Sequence, residues 1–313
     1  MSIVCARAAT ANRQTGKVRP APTSARSVPR MPLPRVSVVI PTLNEADNLP
    51  HVLPRIPQWI HEVVVVDGNS TDGTPEVARA LWPNIHIVTQ EGQGKGAALR
   101  SGFAVATGEI MIMLDADGSM DPAEIPMFVG ALLSGAEFVK GSRFLQGGGT
   151  ADMPCYRRWG NRAFVQLVRF LFGGHFSDLC YGYNAFWSWA VPLLQLNAIG
   201  FEIEAMMNVR ALQAGLKIVE VPSFEAKRVY GIGRLQTIPD GWRVLKTIWS
   251  EWMSPVPRQA ALGIKQWATD AGIAGDSFEF WSGGRALTPY SGDTSGQVNK
   301  EPQRGQNTAH SEK

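Results

Sequence analysis

The sequence predicts an α/β protein built on a largely parallel sheet with helices on both faces. Three observations predict it. Short runs rich in Val and Ile at 36–40, 62–66, 85–88, 109–114 and 137–140 alternate with helical segments, and strands alternating with helices make parallel sheets covered on both sides. Thr74-Pro75 and Asp121-Pro122 have the form of an N-cap followed by proline at the first helical position. Carboxylates, namely Glu45, Asp67, Asp115 and Asp117, recur just past the strand ends, where ligands of such sheets bind.

Length and composition set the frame. The chain has 313 residues, 44% hydrophobic and 18% charged, enough for one good core with a satellite lobe. The net charge of +3 is unevenly placed: seven Arg and Lys residues precede the first acid, Glu45. Residues 1–34 read as a disordered basic arm, a solvated tail before anything that touches anionic lipid. This arm lacks the apolar core of a signal peptide. Cys5, Cys155 and Cys180 are odd in number and scattered, which argues for reduced thiols and against zinc, and the five His show no metal-ligand spacing. The longest charge-free stretch, 179–201, is interrupted by Gly182, Asn184, Ser188, Pro192, Gln195 and Asn197, whereas a membrane span needs about 20 predominantly apolar residues. A cytoplasmic protein is expected, soluble or peripheral on the membrane face.

The elements follow in order. Pro41-Thr42-Leu43-Asn44-Glu45 leaves the first strand and suits a base or ribose edge, or simply a helix start with Asn44 as its cap. Asp67 ends the second strand as a hydrogen-bond acceptor, and Asp72 organises the turn after it through an Asx-type bond. Gly92-Gln93-Gly94-Lys95-Gly96 opens a helix over 95–106. Its glycine spacing fits neither a Walker loop nor the dinucleotide fingerprint, yet glycine-rich turns before a helix favour anions; a flexible loop with a solvated lysine is the alternative. Asp115-Ala116-Asp117 follows the fourth strand, and carboxylates at i and i+2 there can share a Mg²⁺ or Mn²⁺ that substrate phosphates complete. After Gly147-Gly148-Gly149 the chain turns richer in Trp and Arg, with helices expected over 161–172, 202–214 and 240–252 and a strand over 217–221. In the last helix Trp242, Leu245, Trp249 and Trp252 fall on one face. That face is expected to pack on the sheet domain, the alternative being a membrane interface. Residues 254–313 read as a low-order tail.

Four segments, taken in order and spacing, carry a resemblance: Val-Val-Ile-Pro-Thr-Leu-Asn-Glu, Val-Val-Asp-Gly-Asn-Ser-Thr-Asp-Gly-Thr, Gly-Lys-Gly-Ala-Ala-Leu-Arg-Ser-Gly and Asp-Ala-Asp. They resemble family 2 glycosyltransferases of the GT-A fold, in the dolichol-phosphate mannosyltransferase-like or polyprenyl-phosphate sugar transferase branch. The resemblance implies a Rossmann-like GT-A domain over 35–253, with a donor-binding half to about 145 and a helical acceptor-side extension from 146. It implies that Pro41, Leu43, Glu45, Asp67, Lys95, Asp115 and Arg234 hold the donor, and that Asp115 and Asp117 serve a Mg²⁺ or Mn²⁺ and the diphosphate. Members often carry Gln where this chain has Ser119, the third candidate ligand. Arg228 lies in a segment similar to the Arg-x-x-Gly-x-Ser-Lys loop that closes over the diphosphate, with Gly233-Arg234 in place of Ser-Lys. Asp115, Asp117 and Arg228 are thus the implied catalytic residues. Arg143, Arg157 and Asn161 match the acceptor-phosphate side, and Glu202 and Glu204 the acidic segment near the transferred sugar.

The expected function is metal-dependent, inverting transfer of a sugar from GDP-mannose or a UDP-hexose to a polyprenyl or dolichyl phosphate. Transfer to a polysaccharide or soluble hydroxyl is the alternative, and a non-catalytic nucleotide-sugar-binding protein the second. A pyrophosphorylase is disfavoured, because no glycine-rich loop follows the first strand. No aromatic-basic module points to nucleic acid.

Overall fold

The structure is a computed structural model that describes residues 33–254. The expected basic arm (1–34) and C-terminal tail (254–313) lie, but for residues 33, 34 and 254, outside the described residues. The central Val/Ile runs become strands because both of their faces are covered: β1 (Val36–Thr42) and β2 (Glu62–Asp67) are buried almost throughout. With α1 (Leu49–Val52), α2 (Thr74–Leu81), β3 (His86–Thr89), α3 (Lys95–Val105), β4 (Ile110–Met113), α4 (Ile125–Leu133) and β5 (Phe138–Ser142), they complete the alternating half. The remainder is β6 (Gly149–Thr150), α5 (Cys155–Phe172), β7 (Asn184–Trp187), α6 (Val191–Leu194), α7 (Ile203–Gln213), β8 (Ile218–Pro222), β9 (Phe224–Glu225) and α8 (Thr237–Met253).

Seven strands pair in the order β3-β2-β1-β4-β7-β5-β8, and β6 pairs with β9 separately. All neighbours in the large sheet are parallel except β7, which runs antiparallel to both β4 and β5. The order reverses direction at β1, with β2 on one side and β4 on the other. The crevice beyond the carboxyl ends of β1 and β4 is therefore the topological switch point.

Alternate residues of each strand feed different cores. On one face Val38, Ile40, Val63, Val65, Ile110 and Ile112 pack with Leu49, Ala78 and Phe128. On the other, Val39, Val64, Val66, Met111 and Met113 pack with Leu99, Phe103 and Met207. A third cluster joins Val165 and Val168 of α5, Ala205 and Val209 of α7, and Val244 and Ile248 of α8.

The structure corrects several expectations. β7 was not anticipated, because its four residues sit among Gly, Asn and aromatics that read as irregular chain; pairing with Met113, Ile112 and Val139 makes it a strand. α5 starts at Cys155 rather than 161, and α8 at Thr237 rather than 240. Gly73 (φ 83°), not Thr74, occupies the N-cap of α2. Asp121 behaves as expected, accepting from the Ala123 amide at 2.9 Å to start the short turn that leads into α4.

Candidate active site

The loops after β1 and β2 are laced together. Asn44, in the left-handed region (φ 53°), donates its backbone amide to the Ser70 hydroxyl and accepts from the Thr71 amide on its side-chain oxygen, both at 2.8 Å. It ties the two loops and does not cap a helix, because the following helix begins at Leu49. Asp72 accepts from the Thr74 amide at 3.0 Å, the expected Asx-type bond, and also from the Ala46 amide at 3.0 Å. Asp67 holds the Ser70 amide at 3.1 Å with one carboxylate oxygen; the other is buried without a partner. That orphan acceptor sits at a strand tip, where a ligand donor would satisfy it.

Two cations from distant parts of the chain each bridge two carboxylates. Lys95 Nζ lies 2.6 Å from Asp115 and 2.8 Å from Glu204. Arg228 Nη2 reaches both oxygens of Glu45, at 2.6 and 2.5 Å, and its Nη1 lies 3.4 Å from Asp117. Burial drives the Asp115 carboxyl up to about 6; Lys95 pulls it down, while Asp117 and Glu204 add repulsion. Burial would lower Lys95, but Asp115 and Glu204 win and hold its ammonium above the ordinary value.

Local structure fixes this cluster. The Asp117 carboxylate accepts from the Ser119 amide at 2.9 Å, and Gly118 supplies the left-handed turn (φ 78°). The loop carrying Arg228 runs back over that turn: the Ala226 amide donates to the Ser119 carbonyl at 2.8 Å and the Val229 amide to the Asp117 carbonyl at 3.1 Å. Buried Asn48 pins the same loop, accepting from the Tyr230 amide at 2.8 Å and donating to Glu45 at 2.6 Å. Arg234 donates to the Leu43 carbonyl at 2.8 Å, so it too lies on the β1 loop beyond Pro41.

The glycine-rich turn is not an open anion cradle. The Gly96 amide donates to the Ile199 carbonyl at 2.7 Å. A Cβ on Gly94 would lie 2.5 Å from the Ile199 carbonyl oxygen, and one on Gly96 2.2 Å from that of Ala198. These glycines make room for a crossing backbone and thereby seat Lys95 between its carboxylates.

The residues matched to the acceptor side have other partners. Arg143 is buried and forked onto Asp178 at 2.7 and 2.9 Å, with Glu225 at 2.9 Å and the Tyr181 ring 4.7 Å away. Asn161 accepts from the Leu179 and Cys180 amides at 3.0 and 3.1 Å. Arg157 donates to Thr237 at 3.0 Å and to the Leu235 carbonyl at 3.3 Å. Glu202 caps the backbone at Ile199 and Gly200, leaving its second oxygen buried and unpartnered. Of the two acids in this segment, Glu204 pairs with Lys95, which also lies 5.8 Å from the centre of the Phe201 ring. Sequence reasoning missed Asn48, Asp178 and Lys140. Asp178 carried a signal, standing alone before the charge-free stretch. Lys140, wholly buried and bonded to the Tyr181 carbonyl, is held below the ordinary lysine value by burial.

Among the described residues, no three His, Cys, Asp or Glu side chains converge as a metal cage. The donor set still suits a hard divalent ion. Among the described residues, the ion pairs of Glu45, Asp115, Asp117 and Glu204 are with Lys95 and Arg228, four carboxylates to two cations. Mg²⁺ or Mn²⁺ uses one or two carboxylates plus substrate phosphates.

Comparison with known proteins identifies the family of the chain. Residues 37–188 match the model of glycosyl transferase family 2. The chain is 32% identical over 219 residues to the polyprenol monophosphomannose synthase of Mycolicibacterium smegmatis, a match covering 65% of this chain and 82% of that protein. It is 32% identical over 211 residues to the dolichol-phosphate mannosyltransferase of Pyrococcus furiosus, covering 64% of this chain and 59% of that one. Glucosyl-3-phosphoglycerate synthase from Mycobacterium tuberculosis, crystallised with Mn²⁺, UDP and glucosyl-3-phosphoglycerate, superposes with a TM-score of 0.56 at 23% identity, over 71% of this chain and 81% of that chain. That likeness establishes the GT-A type of fold. The chain belongs to glycosyl transferase family 2, a glycosyltransferase of the polyprenyl-phosphate sugar transferase branch.

Proposed function

We propose that the enzyme transfers a sugar, with inversion at the anomeric carbon, from GDP-mannose or a UDP-hexose to a polyprenyl or dolichyl phosphate, aided by Mg²⁺ or Mn²⁺. The observation that carries this reading is the surplus of two negative charges among Glu45, Asp115, Asp117, Glu204, Lys95 and Arg228. The names of the two relatives above support a lipid-phosphate acceptor.

In this reading Asp115 and Asp117 hold the ion, with Ser119 positioning Asp117 through its amide and standing beside it as the third candidate ligand. When bound, the ion neutralises the charge developing on the departing nucleotide diphosphate. Arg228 and Arg234, both on the loop that crosses the site, exchange their present partners for diphosphate oxygens, and Lys95 adds charge from below. The free oxygen of Asp67, with Glu45, Pro41 and Leu43, takes the nucleoside. A phosphate acceptor is already an anion at neutral pH and needs no general base. Arg157 is the more open of the two acceptor-side arginines; Arg143 reaches a phosphate only by releasing Glu225. Glu202 and Glu204 flank the sugar, and Asn161 braces the segment after Asp178. An acceptor of this kind sits in a bilayer, so the enzyme works at the cytoplasmic membrane face. No helix among the described residues is long and apolar enough to cross a membrane.

The test offers radiolabelled GDP- and UDP-sugars and polyprenyl phosphate to the full chain, with and without Mn²⁺. Metal-dependent entry of label into the organic phase is the expected result. Asp117→Asn should lower the rate roughly 10²–10³-fold with the fold retained, as for loss of one electrostatic stabiliser. Label passing only to an aqueous acceptor or to water refutes the lipid assignment. No metal-dependent label transfer at all points to a non-catalytic protein.

A further inference from the structure

We propose that Lys140 is a positioning residue for sugar transfer: its side-chain amine holds the Tyr181–Gly182 peptide against the Glu204–Lys95 pair. This role rests on the transfer reading above, in which Lys95 attends the diphosphate and Glu204 the sugar. Lys140 breaks the pattern of its strand. Along β5, Val139 enters one core and Phe138 the other, and Lys140 shares the Phe138 face. The lysine there is wholly buried. Packing alone would be met by an aliphatic side chain of the same length, without the cost of burying an amine.

An ion pair does not explain it either. Asp178, Glu204 and Glu220 are the acids whose fields reach the amine, and each is already taken. Arg143 forks Asp178, Lys95 pairs with Glu204, and Glu220 accepts from the Ser177 and Asp178 amides. Among the described residues Lys140 makes no ion pair, and its amine donates to the Tyr181 carbonyl. A buried titratable group that local packing does not call for is a mark of a functional site.

That carbonyl belongs to a strap, residues 178–183, which is pinned along its length. Asp178 is held by Arg143, the Leu179 and Cys180 amides by Asn161, the Leu179 carbonyl by Asn208 at 2.9 Å, and the Tyr183 carbonyl by the Gly141 amide at 2.8 Å. The Tyr181 ring is fixed separately, 4.7 Å from the Arg143 guanidinium, with its hydroxyl 3.0 Å from that of Ser223. Gly182 is where the strap meets the site. A Cβ there would lie 2.7 Å from Glu204 Oε1 and 2.8 Å from Lys95 Nζ, so the bare backbone is the wall on which that pair is seated. The Tyr181 carbonyl is part of the planar peptide leading into Gly182, so fixing its oxygen fixes the plane and the wall. Register sets the level: Lys140 lies opposite Asn184 of β7, and Asn184 opposite Met113 of β4, two residues before Asp115.

The test gives the full-length protein Mn²⁺, radiolabelled GDP- and UDP-sugars and polyprenyl phosphate. Lys140→Met keeps the length of the side chain and removes the donor. For the sugar nucleotide that wild type uses, kcat should fall roughly 10–10²-fold, as for a misplacement of about 1 Å, while donor KM stays within about twofold. Hydrogen exchange of a peptide spanning residues 179–184 should speed up about tenfold or more, with β1 and β2 unchanged. Phe138→Leu is the structural control, on the same strand and face and stacked on Phe186 at 5.6 Å. It should lower the urea midpoint and leave kcat within about twofold. Gly182→Ala presses on Glu204 and Lys95 directly and should reproduce the loss in kcat with Lys140 in place, which decides the matter should Lys140→Met not fold. Wild-type kcat and exchange in Lys140→Met overturn the assignment, as does wild-type kcat in Gly182→Ala. So does a Lys140→Met whose kcat falls no further than that of Phe138→Leu at an equal loss of urea stability. Wild-type protein that hydrolyses the donor without labelling the lipid removes the proposed acceptor alone, and the same kcat comparison is then read on hydrolysis. Wild-type protein inert toward every sugar nucleotide removes the transfer reading and this role of Lys140 together.

Discussion

Gly96→Ala probes the seating of the lysine at the centre of the site. Gly96 is the second residue of α3, and a Cβ there would lie 2.2 Å from the Ala198 carbonyl oxygen, 2.8 Å from its carbon and 3.0 Å from the Ile199 carbonyl carbon. All three atoms are backbone, so no flexible side chain can yield. Relief needs a separation of about 1 Å between α3 and the 198–200 segment, an overpacking typically worth about 1–3 kcal/mol. The same shift breaks the 2.7 Å bond from the Gly96 amide to Ile199, a further ~1 kcal/mol. Better helix propensity of Ala returns about 1 kcal/mol. The net expectation is a loss of about 1–3 kcal/mol in urea unfolding. Activity should fall further, because Lys95 holds Asp115 at 2.6 Å and Glu204 at 2.8 Å, and a misplacement of about 1 Å in an active site costs roughly 10²-fold. Gly130→Ala is the control: it lies mid-α4 with no atom within 4 Å of the place its methyl would take, and should gain up to about 1 kcal/mol with unchanged activity. Should Gly96→Ala match Gly130→Ala in both stability and rate, the crossing backbone does not seat Lys95 and the argument fails.

Two further outcomes follow from buried charge. Asp178 is fully buried and forked by Arg143; Asp178→Ala leaves that guanidinium Glu225 as its one ion-pair partner among the described residues and should cost up to about 3–5 kcal/mol, while Arg143→Met with Asp178→Leu should restore most of it in chemical denaturation. Glu62 is driven up by burial, but hydrogen bonds from Ser37 and Thr107 outweigh this and hold its carboxyl below the ordinary value. Its contribution is therefore complete above about pH 4.3, the ordinary carboxylate value, and disappears as pH falls through the lower folded value. Wild type should lose stability on acidification more steeply than Glu62→Gln, which should be about 1 kcal/mol weaker at neutral pH; acid titrations of melting temperature that run parallel for the two proteins would refute this.

The central strands were legible because Val/Ile runs such as those of β1, β2 and β4 are buried on both faces. β7 was not legible: Asn184 through Trp187 pair only because β4 and β5 leave an open antiparallel slot, a fact of assembly with no local signature. Glycine misled in one place. Gly94 and Gly96 announce that side chains do not fit, but chain order does not say whether a phosphate or the Ala198–Ile199 backbone fills the space. α8 shows a similar limit, since its sequence offers two apolar faces, Val244 with Ile248 and the tryptophans, and periodicity alone does not choose between them. Packing against α5 and α7 chose the aliphatic face and left the tryptophans outside.

By itself the sequence determined the alternating α/β order and the acids at the strand ends, because strand burial and turn chemistry act over a few residues. Tertiary structure decided which charges meet. Lys95 pairs with Glu204 across 109 positions and Arg228 with Glu45 across 183, and such pairs form only once parallel strands bring their carboxyl ends to one edge. The two negative charges left over at that edge are a property of the folded site, since each carboxylate alone, solvated at the end of an extended chain, needs no partner.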